Sequence, residues 1–168
     1  MTTAVGGLRI RIRKKADGSA ALSCRRADGS VTWQRQTGPQ GRFFPLHDLT
    51  HYAVETVLGY RRAFYGLIAE GWSVDDFGKP WPRGPLPAEA HAAELIVGYL
   101  DAERASGTHW SAEDFSRSAV AYGNDRAAPA FVLTETQLGR IRAERGRLFA
   151  LWRELAEGGT LELDFPGG

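Results

Sequence analysis

Two nearly identical strings, Ala16-Asp17-Gly18-Ser19 and Ala27-Asp28-Gly29-Ser30, do most to limit what this chain can build. Asp-Gly is a strong signal for a tight hairpin turn. Before the first string, Leu8-Arg9-Ile10-Arg11-Ile12-Arg13 alternates apolar and basic residues with the period of a half-buried strand. Ala21-Leu22-Ser23-Cys24-Arg25 follows the first turn and Val31-Thr32-Trp33-Gln34-Arg35 the second. The expectation is an antiparallel meander of three strands. Thr160-Leu161-Glu162-Leu163-Asp164-Phe165 alternates again and is expected to join it as a C-terminal strand.

Gly38-Pro39-Gln40-Gly41 ends the strand text, and Pro45 sits where a first helical turn accepts proline. No proline interrupts residues 46–70, so one long helix is expected there, weakened at Gly59 and Gly66 and stopped at Gly71. Residues 71–87 hold four prolines together with Trp72 and Trp81 and read as a long loop. Further helices are expected at 88–105, from a Ser111 cap to residue 121, and from the Thr134/Gln137 capping box to residue 156. Gly123-Asn124-Asp125 reads as a turn. The expectation is one α+β domain over residues 1–168: the meander plus the C-terminal strand, packed on about four helices with one long central helix.

Composition narrows the function classes. Of 168 residues 43% are hydrophobic, and the formal net charge is +1, so bulk charge gives no argument for nucleic acid or membrane. Cys24 is the single cysteine, which excludes an intrachain disulfide and a Cys-rich zinc site. No charged leader with an apolar run opens the chain and no stretch approaches ~20 apolar residues, so the cytoplasm is the expected location. G-x-S-x-G, a phosphate-cradling glycine loop and G-x-G-x-x-G are all missing.

What remains is the string His47-Asp48-Leu49-Thr50-His51-Tyr52-Ala53-Val54-Glu55. On a helix, His47, His51 and Glu55 fall at roughly 0°, 40° and 80° and share one face. Apolar residues gather on the opposite face (Leu49, Ala53, Val57) and also border the polar stripe (Val54, Leu58, Tyr65). A helix apolar on both sides is a central one, so the stripe is expected to point into a second packed layer. Buried imidazoles and carboxylates must pair or hold a metal, and His47 and His51, one turn apart, converge on a single ion. Glu55 lies about 12 Å along the axis from His47, suited to completing a site with His51 or to orienting it. The missing ligands are sought among His91, Glu94, His109 and Glu70, with Asp75 and Asp76 in the loop as outside choices.

His47-Asp48-x-x-His51 resembles the H-D-x-x-H zinc motif of the coenzyme Q biosynthesis protein family that acts on the quinone head group. That resemblance implies zinc on the two histidines. The family's further Glu, twelve residues after the second histidine, falls on Ala63 here, so Glu55 would have to stand in. The string is also similar to the H-E-x-x-H of gluzincin-type metallopeptidases, where a ligand Glu follows after eighteen residues. Glu70 has that spacing, and Asp48 replaces the general-base Glu. An unbroken helix would hold Glu70 about 28 Å from His51, so this resemblance requires a break at Gly59 or Gly66.

The expected function is a metal-dependent hydrolase or lyase acting on a small molecule, with zinc as the ion and manganese or iron as alternatives. His47, His51, Glu55 and His91 are the expected ligands, and Asp48 or Glu55 the catalytic base. The alternative is a non-catalytic interaction module, binding a protein or nucleic-acid partner through Arg9, Arg11 and Arg13 on one sheet face or through the Trp72/Trp81 loop.

Overall fold

The computed structural model describes residues 6–125 and 131–167. Strands β1 (Leu8–Lys14), β2 (Ala20–Arg25), β3 (Val31–Gln36) and β4 (Thr160–Phe165) form one antiparallel sheet in the order β3-β2-β1-β4. The repeated turn text gives repeated geometry. Gly18 and Gly29 take φ of 81° and 86°, and the carboxylates of Asp17 and Asp28 accept the amides of Ser19 and Ser30 at 2.9 and 2.8 Å. Period two sends Leu8, Ile10 and Ile12 to the buried face and the intervening arginines to solvent. On the outer face Arg9 stands opposite Asp164 and Arg11 opposite Glu162.

The helices among the described residues are α1 (Phe43–Leu58), α2 (Phe64–Glu70), α3 (Ala88–Ser106), α4 (Ala112–Asp125) and α5 (Glu135–Glu154). A 3-10 turn at Val74–Phe77 interrupts the long loop. The fold is α+β, as expected, but the single long helix is two helices, which gives five instead of about four. Residues 123–125, expected as a turn, continue α4. The capping boxes at Ser111/Asp114 and Thr134/Gln137 stand where the sequence put them.

The break between α1 and α2 has an identifiable cause. Gly59 enters the left-handed region at φ 69° and its amide returns to the Glu55 carbonyl. The Tyr60 amide bonds the same carbonyl at 2.9 Å. The chain restarts as a helix at Phe64, where the Glu55 side chain accepts the Tyr65 amide at 2.9 Å and so satisfies an orphan donor of the first turn. Gly66 allows this close approach: a Cβ there would stand 1.8 Å from the Arg61 carbonyl oxygen.

α1 lies between two cores. Leu49 and Ala53 pack with Leu8, Ile10, Leu22 and Phe165 of the sheet, and with Tyr65, Leu148 and Trp152. Val54, on the other side, joins Ala93, Ile96 and Leu100 of α3, Phe115 of α4 and Leu138 and Ile141 of α5. The loop after α2 is fastened down. Arg26 donates to the carbonyls of Ile68 and Trp72, the Val74 amide donates to Thr32 Oγ1 at 3.0 Å, and Trp72 is buried against Leu67 and Ala90.

Gly66→Ala is expected to lower unfolding stability by about 1–3 kcal/mol, because the added methyl must push the 59–63 connection aside. Gly98→Ala, at an open and exposed position within α3, is expected to raise it by roughly 0.5–1 kcal/mol. Urea titration of both variants checks the pair.

Candidate metal centre

α1 turns its polar stripe away from the sheet and toward α3. The second helix answers with Glu94 and Asp101, seven residues apart and therefore on one face. His47 and His51 stand with ring centroids 4.8 Å apart. His51 Nδ1 lies 3.3 Å from Glu55 Oε2, and its Nε2 lies 3.3 Å from Glu94 Oε1. His47 Nδ1 lies 2.7 Å from Asp101 Oδ2. Each imidazole is thus held at Nδ1 by a carboxylate, which leaves Nε2 as the coordinating nitrogen. One ligand atom from each of His47, His51 and Glu94 lies within 4.8 Å of the other two, and among the described residues this is the one such group.

The donor set fits a divalent ion. Two imidazoles and one carboxylate match the three-ligand pattern of catalytic zinc sites. Bonds of ~2.0–2.2 Å at tetrahedral angles separate ligand atoms by about 3.3 Å. His51 and Glu94 are already at 3.3 Å. His47 is part-buried and Glu94 46% exposed, so side-chain rotation can bring the third arm in.

Electrostatics describe what the metal-free cluster holds instead. Burial opposes charge on His51, which is 2% exposed, but Glu94 and Glu55 overcome that penalty and hold its pKa well above the ordinary value. Burial likewise works to raise Glu94, and His51 beside it wins, leaving Glu94 below the usual carboxylate range. Glu55, fully buried, is raised by desolvation against the opposing pull of His51. The charged His51 ring thus faces Glu55 through Nδ1 and Glu94 through Nε2.

A cavity of about 390 Å³ opens beside the cluster. His47, His51, Glu94 and Asp48 stand on its wall, with Phe44, Phe64, Phe77 and Trp81 as aromatic lining. Asp48 is 5% exposed, and its Oδ2 accepts a hydrogen bond from the Gln36 amide. Burial raises its pKa to about 6, against the opposing effects of His47 and that amide. A larger hollow of about 620 Å³ at the sheet edge, beside Arg9, Arg25 and Arg26, shares no residue with this cavity.

The residues anticipated from sequence divide. His47 and His51 are together, and Asp48 lines the same cavity. Glu55 lies outside the three-residue group, with its two oxygens engaged by His51 and by the start of α2. His91 is outside it too, edge-on to Trp81 with 6.2 Å between centroids. Glu94 takes the position expected of His91. The helix break that the gluzincin resemblance requires is present, but Glu70 pairs with Arg62 at 2.9 Å instead of reaching the histidines. His109 lines a separate hollow with Glu103 and Arg142, and Asp76 pairs with Arg83. Asp101 and Gln36 were not anticipated. The signal for Asp101 was its seven-residue spacing from Glu94; Gln36 carried none, since its role depends on how β3 meets α1.

On the outer sheet face, Arg9 and Arg11 are paired with Asp164 and Glu162, at 2.8 and 2.9 Å, which neutralises much of the basic stripe. Trp72 is buried, whereas Trp81 faces the cavity.

Asp48→Asn tests the buried carboxyl through stability. Folding raises its pKa from 3.8 to about 6, so the native state keeps a proton that the unfolded chain releases. The contribution is full below the unfolded value and is lost as pH rises through about 6. In chelator-treated protein the stability of Asp48→Asn relative to wild type is expected to grow by up to about 3 kcal/mol between pH ~3.5 and ~7.5. Denaturant titrations across that range measure it, and a pH-independent difference would contradict the burial argument.

Comparison with protein-family models, with curated proteins and with solved structures finds no match to the chain.

Proposed function

We propose that this protein is a metal-dependent enzyme of hydrolase or lyase type, acting on a small molecule in the cavity beside His47, His51 and Glu94. The observation that carries the reading is the convergence of those three ligand atoms within 4.8 Å on a cavity wall. Zinc suits the donor set best, with manganese or iron as alternatives favoured by the carboxylate. An ion held there would supply Lewis acidity to a substrate oxygen or a water.

The chain's own residues supply the rest. Glu55 and Asp101 fix the two imidazoles at Nδ1. Asp48, with a pKa of about 6, is mostly ionised at neutral pH and able to take a proton from a water or a substrate carbon. The aromatic lining of the cavity offers an apolar surface beside these groups. No described helix is long and apolar enough to cross a membrane, and a cytoplasmic setting suits the buried free thiol of Cys24.

A second reading, a non-catalytic interaction module, draws on Trp33. That side chain is 59% exposed on the outer sheet face, with the Arg35 guanidinium 5.8 Å from its ring centroid. Metal-free protein with salt-sensitive binding to polyanions would favour it.

Elemental analysis of untagged protein, purified without nickel resin, decides between them. Near-stoichiometric zinc, manganese or iron is expected, lost in His47→Ala and His51→Ala. Glu55→Gln and Asp101→Asn are expected to weaken binding by about 10–100-fold. Because the ion displaces the His51 proton, affinity is expected to rise about tenfold per pH unit below the His51 pKa. A chain that holds no metal after incubation with each ion would overturn the proposal.

A further inference from the structure

The far wall of the same cavity comes from the pinned loop. After the 3-10 turn the chain runs through Gly78, Lys79, Pro80 and Trp81, and the Trp81 indole donates to the Phe77 carbonyl at 3.3 Å. That bond orients the indole, and Lys79 Nζ lies 5.0 Å from its ring centroid. Lys79 and Trp81 both line the cavity. The cavity's two carboxylates are engaged elsewhere, Glu94 with His51 and Asp48 with Gln36. Lys79 is exposed, and among the described residues no carboxylate lies within ion-pairing distance of it, so the loop brings one unpaired ammonium to a lining of Phe44, Phe64, Phe77, Trp81, Val74 and Leu86.

Resting on the reading of this cavity as the substrate site, we propose that Lys79 and Trp81 form its acid-binding end, and that the ligand is a small aromatic carboxylic acid. The carboxylate pairs with the Lys79 ammonium, and the ring lies among Phe44, Phe64, Phe77 and Trp81. Aromatic rings meet one another in edge or offset contacts, and Phe64 and Phe77 already do so at 4.8 Å. About 390 Å³ lies near the small end of ligand cavities, which suits a single-ring molecule. A lone ammonium matches a monoanion, and no arginine lines the wall to grip a dianion bidentately.

The test uses the full-length chain treated with EDTA, so that no carboxylate can bind through a metal. Phenylacetate is titrated by ligand-detected NMR, with neutral 2-phenylethanol as the analogue of similar size. Saturable phenylacetate binding is expected, at least about tenfold tighter than that of 2-phenylethanol. Lys79→Gln is expected to weaken phenylacetate by at least about tenfold, and Lys79→Arg to retain it. Trp81→Ala is expected to weaken both compounds. No saturable phenylacetate binding, equal binding of the two compounds, or unchanged phenylacetate affinity in Lys79→Gln would overturn the inference. Since the measurement is made without metal, it can succeed in a chain that holds no ion and fail in one that does, so this inference and the metal reading fall separately.

Discussion

A single buried carboxylate, that of Glu55, ties the fold to the candidate site. Burying an ionised carboxylate costs several kcal/mol unless charge and hydrogen bonds compensate it. Glu55 finds both: one oxygen meets His51 Nδ1, and the other accepts the Tyr65 amide at the start of α2. The chain therefore has to turn back at Gly59 and bring the amides of a new helix onto Glu55. The same contact orients the His51 ring with Nε2 toward Glu94. The helix break and the geometry of the cluster therefore share one residue, Glu55.

The remaining polar groups around α1 follow the same economy. Its sheet side is apolar at Leu49 and Ala53, and its other side meets α3 through histidines answered by acids. The Asp48 carboxylate is held by Gln36 at the end of β3, and the Asp48 backbone carbonyl accepts the Tyr65 hydroxyl at 2.9 Å. Tyr65 thus reaches α1 twice, by its amide to Glu55 and by its hydroxyl to Asp48. A buried carboxyl whose pKa is raised to about 6 is the electrostatic result of this dry packing.

What was legible in the sequence was local or periodic. The strands and the meander of the first three follow from alternation and from two Asp-Gly turns whose geometry depends on four residues each, while the pairing of β4 with β1 is visible only in the fold. The central position of the first helix follows from its two apolar faces, and His47 and His51 from their spacing. The break between α1 and α2 was not legible, because its cause is a tertiary contact: Glu55 reaches ten residues ahead to Tyr65, and Gly66 makes room for Arg61. For the same reason the contact of Glu55 with the start of α2 is hidden in the sequence. Glu94 stood among several candidates, since nothing in the sequence says which face of α3 meets α1. Asp101 was discernible only once that pairing is known.

The place of β1 in the sheet has a consequence for how the chain comes together. β1 is flanked by β2, its neighbour in sequence, and by β4, whose Asp164 lies 155 residues from its partner Arg9. During synthesis the meander forms early, but one edge of β1 waits for nearly the whole chain before it is covered. A bare edge of this kind is a template for pairing with another molecule. Arg9, Arg11 and Arg13 stand in a row of like charge on the outer face beside that edge, and Glu162 and Asp164 of β4 neutralise it. Charge on this face therefore favours pairing of β1 with the acidic β4 over pairing with a second copy of the same basic strand.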